Sequence, residues 1–113
     1  MTDNELRIRL ATALGWRPLE VAGQWHITRE YGGKSEFMPS WATSLDACMR
    51  DLLPACQEVG YREWSLTSSI EGEPLARLIK RRPGGGWWVQ EARSAIVARA
   101  LAEACLSCLE AGE

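Results

Sequence analysis

Residues 63–90 read EWSLTSSIEGEPLARLIKRRPGGGWWVQ, and this stretch decides the fold class. Its first part has a period of two. Trp64, Leu66, Ser68 and Ile70 alternate with Glu63, Ser65, Thr67, Ser69 and Glu71, so one face is mostly apolar and the other polar, as in a half-buried strand. Glu71-Gly72-Glu73-Pro74 predicts a turn, Leu75 to Arg82 a second strand, Pro83-Gly84-Gly85-Gly86 a second turn, and Trp87 to Gln90 a short third strand. Connections this short join antiparallel neighbours, so the segment is a meander.

Helical patterns surround the meander. From Ala92 to Ala111, Ile96, Val97, Ala100, Leu101, Ala104, Cys105, Cys108 and Leu109 share one face, opposite Arg99, Glu103, Ser107 and Glu110. Arg99 is placed to pair with Glu103 one turn on. Upstream, Thr43-Ser44-Leu45-Asp46 has the form of a capping box. It leads into a stripe of Leu45, Cys48, Met49, Leu52, Cys56 and Val59, closed by Gly60. Pro54 falls on the solvent side of that stripe and predicts a kink or restart. Thr2 to Leu14 is a third helix, ended by Gly15. Trp25–Thr28 and Ser35–Met38 predict a hairpin or flap around Tyr31-Gly32-Gly33. The expected architecture is α+β, a small α/β/α sandwich in which an antiparallel sheet is covered by three helices, with residues 1–113 as a single domain.

Composition narrows the function classes. The 113 residues carry 13 basic and 15 acidic side chains, a net charge of −2, which is no footprint for coating a DNA or RNA duplex. No apolar run approaches the roughly 18 residues of a membrane helix. The first residues carry Asp3, Glu5, Arg7 and Arg9, so no signal peptide is expected. The out-of-line count is six Trp against two Tyr and one Phe. Trp64 has a core position on its strand, whereas Trp16, Trp25 and Trp41 fall at element boundaries and Trp87 and Trp88 point to opposite faces.

Catalytic and metal chemistry have little support. Cys105 and Cys108 form a Cys-x-x-Cys, but both lie on the apolar stripe of a helix, as do Cys48 and Cys56 on theirs. Four reduced core thiols explain them better than a zinc or redox site. His26 is the only histidine, so no Cys-His or Ser-His-Asp arrangement has a spare; it is open to a ligand contact from the flap, but an exposed strand residue beside Trp25 is the plainer reading. Gly84-Gly85-Gly86 lacks the Lys-Ser/Thr of a phosphate loop. No catalytic residue, metal or cofactor is expected.

Binding has more support. Arg77, Lys80, Arg81, Arg82 and Arg93 face only Glu91 in the same segment, a local +4 that encloses Trp87 and Trp88. Flat aromatics among guanidinium groups suit a ligand with bases to stack and phosphates to neutralise. Cations that keep a strand edge soluble would account equally well for Lys80, Arg81 and Arg82. Arg93, placed in the first turn of the last helix and facing the sheet, reads as an anion contact beside free backbone amides. A salt bridge to a nearby acid is the plainer alternative.

Ala13-Leu14-Gly15-Trp16, Pro39-Ser40-Trp41-Ala42-Thr43-Ser44-Leu45-Asp46-Ala47 and the Ala-rich last helix through Ala104-Cys105-Leu106 appear in an order that resembles the phage ABA-sandwich family. Within that group the resemblance is to the Thoeris anti-defence sponges. Those phage proteins sequester cyclic ADP-ribose isomers, and some also hold cyclic oligonucleotides. The resemblance implies a non-catalytic homo-oligomer that binds signalling nucleotides at subunit interfaces, in the cytoplasm of an infected or lysogenic bacterial host. This chain has Glu91-Ala92-Arg93-Ser94 where the family often begins its last helix with Thr-Pro, and Trp41 where the family usually has Tyr. The expected ligand contacts are Arg93, with Arg77 assisting, for phosphate; Trp88, Trp16 or Trp25 for stacking; and Gln90 for a base or ribose edge. The competing expectation is a protein-interaction module that uses exposed Trp side chains.

Overall fold

A computed structural model of the chain describes residues 1–29, 34–69 and 72–111. In chain order the elements are α1 (Asp3–Ala13), β1 (Arg17–Val21), β2 (Gln24–Thr28), β3 (Glu36–Phe37), α2 (Leu45–Ala47), a π-helical turn (Cys48–Leu52), α3 (Leu53–Glu58), β4 (Glu63–Ser69), β5 (Gly72–Arg81), β6 (Trp87–Arg93) and α4 (Val97–Glu110). The strands form two antiparallel three-stranded sheets, β1-β2-β3 and β4-β5-β6. Helices pack against them, and the fold is an α+β sandwich.

α4 lies at the centre. Ala98, Ala100, Leu101, Ala102, Ala104, Cys105, Leu106 and Cys108 are all buried, so apolar side chains leave water on most of its circumference. One side packs on β5 and β6, and the others meet α1, α2, the π turn and α3. Small Ala and Cys side chains let these neighbours approach from several directions at once. Arg99 pairs with Glu103 at 3.2 Å as the i,i+4 spacing predicts, and also binds Asp3 and the Met1 carbonyl, joining α4 to the start of α1.

Local chemistry sets the element ends. Thr2 caps α1 by accepting from the Glu5 N–H at 3.1 Å. At its other end the Trp16 N–H reaches the Ala11 carbonyl and the Gly15 N–H the Thr12 carbonyl, a Schellman motif with Gly15 at φ +82°. α3 ends the same way: Tyr61 donates to Cys56 and Gly60 to Gln57, with Gly60 at φ +104°. The cap of α2 is Ser44, which accepts from the Ala47 N–H at 3.2 Å, while the Thr43 hydroxyl turns back to the Ser40 carbonyl. Pro54 is exposed, as expected. Its missing N–H is absorbed by the widened turn before it, where Leu53 donates to Cys48. The extra residue shifts the helix phase, so Leu52 and Leu53 are both buried and Met49 is pushed out to 42% exposure.

Several boundaries differ from the sequence expectation. β6 continues through Ala92 and Arg93, which pair with Ala76 and Leu75 of β5; α4 therefore starts at Val97, not Ala92. The helical pattern of this Ala-rich stretch gives way to cross-strand pairing. Glu73 and Pro74 belong to β5 rather than to a turn. Ile70 and the Tyr31-Gly32-Gly33 centre of the expected flap lie outside the described residues. β1 was not anticipated, because Arg17-Pro18-Leu19-Glu20-Val21 carries a proline and two charges. Trp41 is not at a boundary pocket: it is fully buried.

β1 and β2 pair from Arg17↔Thr28 to Val21↔Gln24. Only Ala22 and Gly23 remain between them, both with positive φ (51° and 80°), as a type I′ hairpin turn requires. Alanine tolerates that region poorly and asparagine better. Ala22→Asn is expected to raise stability by about 0.5–1 kcal/mol in urea unfolding. A loss of stability would contradict this turn geometry.

Candidate functional site

The pairing of β5 with β6 sets Lys80 opposite Trp88 and Arg81 opposite Trp87. Strand alternation then sorts the basic segment onto two faces. On the inner face, which α4 covers farther along, the Lys80 ammonium lies 5.0 Å from the Trp88 ring and 5.7 Å from the Tyr61 ring. The Arg82 guanidinium lies 5.6 Å from the same Trp88 ring. Two cations thus flank one half-buried indole, with a buried phenol ring behind. At such distances each cation is held over the ring by the quadrupole of its π-system. Gly60 makes the approach possible, since a Cβ there would lie 2.9 Å from Lys80 Cε. On the outer face Arg81 lies 6.0 Å from the ring of Trp87, which is 54% exposed.

The six residues expected to form a ligand site are not brought to one place. Trp88 and Gln90 share the inner face of β6. Arg77 and Arg93 lie on the outer face, where Arg77 binds Glu91 at 3.1 Å. The anion cradle expected at Arg93 does not form, because Arg93 ends a strand, is exposed, and is separated from the first turn of α4 by Ser94 to Ile96. Trp16 and Trp25 belong to the other sheet, Trp16 just before β1 and Trp25 on β2. Trp25 is half-buried and lines an open groove of about 510 Å³ with Asn4, Arg7, Phe37 and Ser40. Arg7 there is turned to the chain itself, donating to the carbonyls of Pro39 (3.0 Å) and Met38 (2.6 Å). His26 is half-buried rather than exposed and packs 4.7 Å from the Phe37 ring. Tyr61 was missed by sequence reading; its signal was the Gly60-Tyr61 helix exit, which repeats the Gly15-Trp16 exit of α1.

Trp16 and Trp41 take part in a separate polar network. Their rings lie 6.0 Å apart, and the Arg29 guanidinium stacks 4.3 Å from Trp16. The Trp41 indole N–H donates to Asp51 at 3.1 Å. Arg50 donates to both Asp51 oxygens at 3.0 Å, and Arg29 lies 4.0 Å away. The Asp51 side chain is only 4% exposed. Burial by itself would raise its carboxyl, but the Arg50 and Trp41 hydrogen bonds and the two cations outweigh burial and hold it below the usual carboxylate range. This network satisfies the one polar atom of a buried indole; it is a structural junction rather than a binding site.

The four cysteines are buried free thiols. Cys48 donates to the Trp41 carbonyl at 3.1 Å, and burial pushes its thiol up to about 12. Hydrogen bonding with Cys56, reinforced by burial, also pushes the Cys105 and Cys108 thiols well up. Among the described residues no group of three His, Cys, Asp or Glu is placed to hold a metal ion. No helix there is long and apolar enough to cross a membrane. The chain matches no protein-family profile and no curated protein.

Asp51 makes a prediction with a defined sign. A carboxyl depressed in the folded state contributes stability above its unfolded value of about 3.9, and that contribution is lost as pH falls through the folded value. Asp51→Asn is expected to lower stability at neutral pH by about 1.5–3 kcal/mol, and its deficit to shrink in acid. Urea unfolding of both proteins across this range measures it. A deficit that stays constant into strong acid would contradict the assignment.

Proposed function

We propose that the chain is a phage anti-defence protein that binds cyclic nucleotide signals, cyclic ADP-ribose isomers or cyclic oligonucleotides, and sequesters them without turnover. The observation that carries this reading is the Lys80–Trp88–Arg82 arrangement with Tyr61 behind it. Lys80 and Arg82 lie over the Trp88 ring; on binding they would turn to the phosphates carried on the ligand's riboses and leave the indole's flat surface to a base. The site needs no general base, because sequestration ends at binding. The resemblance to the anti-defence sponges favours the same class of ligand and implies the cytoplasm of a bacterial host as its setting.

The residue assignment moves with the geometry. Trp88 and Gln90 stay as ligand contacts on one face, Lys80 and Arg82 take the phosphate role first given to Arg93 and Arg77, and Trp16 and Trp25 drop out as stacking partners. A second reading, a protein-interaction module, is favoured by a different observation: Trp87 (54% exposed) and Val89 (45% exposed) lie side by side on the outer face.

Isothermal titration with cyclic ADP-ribose isomers and cyclic di- and trinucleotides separates the two. The nucleotide reading expects saturable binding to at least one ligand, recovered chemically unchanged. Trp88→Ala is expected to weaken it by the roughly 1–3 kcal/mol of one base stack, Arg82→Ala by about tenfold or more, and Arg93→Ala hardly at all. No heat with any of these ligands removes the reading and leaves the interaction module. Product released from a bound nucleotide would make the protein an enzyme.

A further inference from the structure

β6 (Trp87–Arg93) is an edge strand, since β5 pairs with one side of it only. The hydrogen bonds flanking the β5–β6 ladder give its phase. Arg82 donates to Gly86 at one end, and Ser94 donates to Pro74 at the other. Both bonds join even-numbered residues, and narrow pairs recur at every second position. Trp88, Gln90 and Ala92 therefore direct their backbone groups to β5. Trp87, Val89, Glu91 and Arg93 direct theirs to the open edge.

The two edges of this sheet are not alike. β4 is disrupted by a register shift between Thr67 and Ser69, which blunts an edge against further pairing. β6 pairs with β5 without a break over all seven residues and contains no proline, lysine or glycine. Its only protection against pairing is the two charges of Glu91 and Arg93, which are of opposite sign.

The geometry points to self-association of two copies through antiparallel pairing of β6 with β6, about a two-fold axis at Gln90, giving one continuous six-stranded sheet. In that register the strand matches its own reverse at Trp87, Trp88 and Gln90, and Val89 against Glu91 is the one neutral pair. On the outer face Trp87 lies opposite the partner's Arg93, an indole against a guanidinium, and Val89 lies opposite the partner's Glu91. On the inner face bulky Trp88 lies opposite small Ala92 of the partner subunit, and Gln90 meets the partner's Gln90, amide to amide. The residues whose backbone groups point outward are odd-numbered, and this register pairs odd with odd, so the new ladder's hydrogen bonds close. Moving the axis to Glu91 would set that carboxylate against its own copy, and moving it to Val89 would set Trp87 against Glu91 instead of Arg93. Arg93 forms no ion pair with any described residue, and the two-fold register gives it a partner. The inference rests on the strand's backbone edge and does not require the nucleotide reading, although Trp88 and Gln90 take part in both.

Cross-linking tests the register directly. Residues at Gln90 would form a non-hydrogen-bonded pair, with Cα atoms about 4.5 Å apart, inside the range a disulfide spans. Gln90→Cys is expected to give a covalent dimer on a non-reducing gel under mild oxidation, while Glu73→Cys, on β5 away from this edge, stays monomeric. The wild-type protein should show twice the 12.6 kDa chain mass by light scattering. Trp87→Arg, which sets guanidinium against guanidinium, should shift it toward the monomer, and adding Arg93→Trp should restore the dimer. Far-ultraviolet circular dichroism confirms that each variant folds. A monomeric wild type, a folded Gln90→Cys variant that does not cross-link, or a dimer indifferent to Trp87→Arg would each overturn the proposal.

Discussion

Burial of α4 on several sides is the constraint on which the structure depends. A surface helix needs one apolar stripe, but this one is pressed between β5–β6 and the remaining helices. Its residues must be apolar for burial and small for close approach, which is why Ala and Cys dominate its sequence. Cysteine serves here as a small hydrophobe. On the opposing helix layer Cys56 sends its thiol to the Cys105 carbonyl of α4, giving a weak donor an acceptor at a tight contact, and the Cys48 sulfur lies 3.5 Å from the Ala98 carbonyl.

The candidate site follows from that arrangement. With α4 over the inner face of β5 and β6, the sheet is fully covered at Ala76 and Leu78 and half-covered farther along, at Lys80 and Trp88. The exit of α3 brings Gly60 and Tyr61 up to this end of the sheet, and the absent Cβ of Gly60 lets the Lys80 stem pass. A basic strand end near two aromatic rings is thus positioned by a helix cap and a ladder register, both backbone features. The opposite face of the same strands carries the Arg77–Glu91 pair and exposed Trp87, with a different chemistry.

Much of this was legible in the sequence. Period-two alternation from Glu63 onward marked the meander, and Gly15, Pro54 and Gly60 each acted at the position read for them, while the cap fell on Ser44, one residue after the Thr43 of the expected box. What failed has physical causes. Ala92 and Arg93 carry no local preference for strand; only their pairing with Ala76 and Leu75 holds them there, and that contact is not visible in a local pattern. The error carried into the site, because the role read for Arg93 required a helix start. β1 was hidden because its turn uses Ala22 at positive φ, where a sequence signal would be Asn or Asp. Trp41 lies between β3 and α2, at a boundary as read, but its full burial was not legible because its indole partner, Asp51, lies ten residues away. The Lys80, Arg82 and Trp88 grouping was visible as composition, but only the register Lys80↔Trp88 turns it into a face.

Native-state hydrogen exchange tests the central claim most directly, because it reports which element opens last. If the fold depends on α4, the amides of Ala100 to Cys108 exchange only through global unfolding, at the stability found by urea denaturation. Those of β1 and β2 then exchange through smaller, local openings. Exchange from α4 faster than from the β1–β2 hairpin would contradict the account.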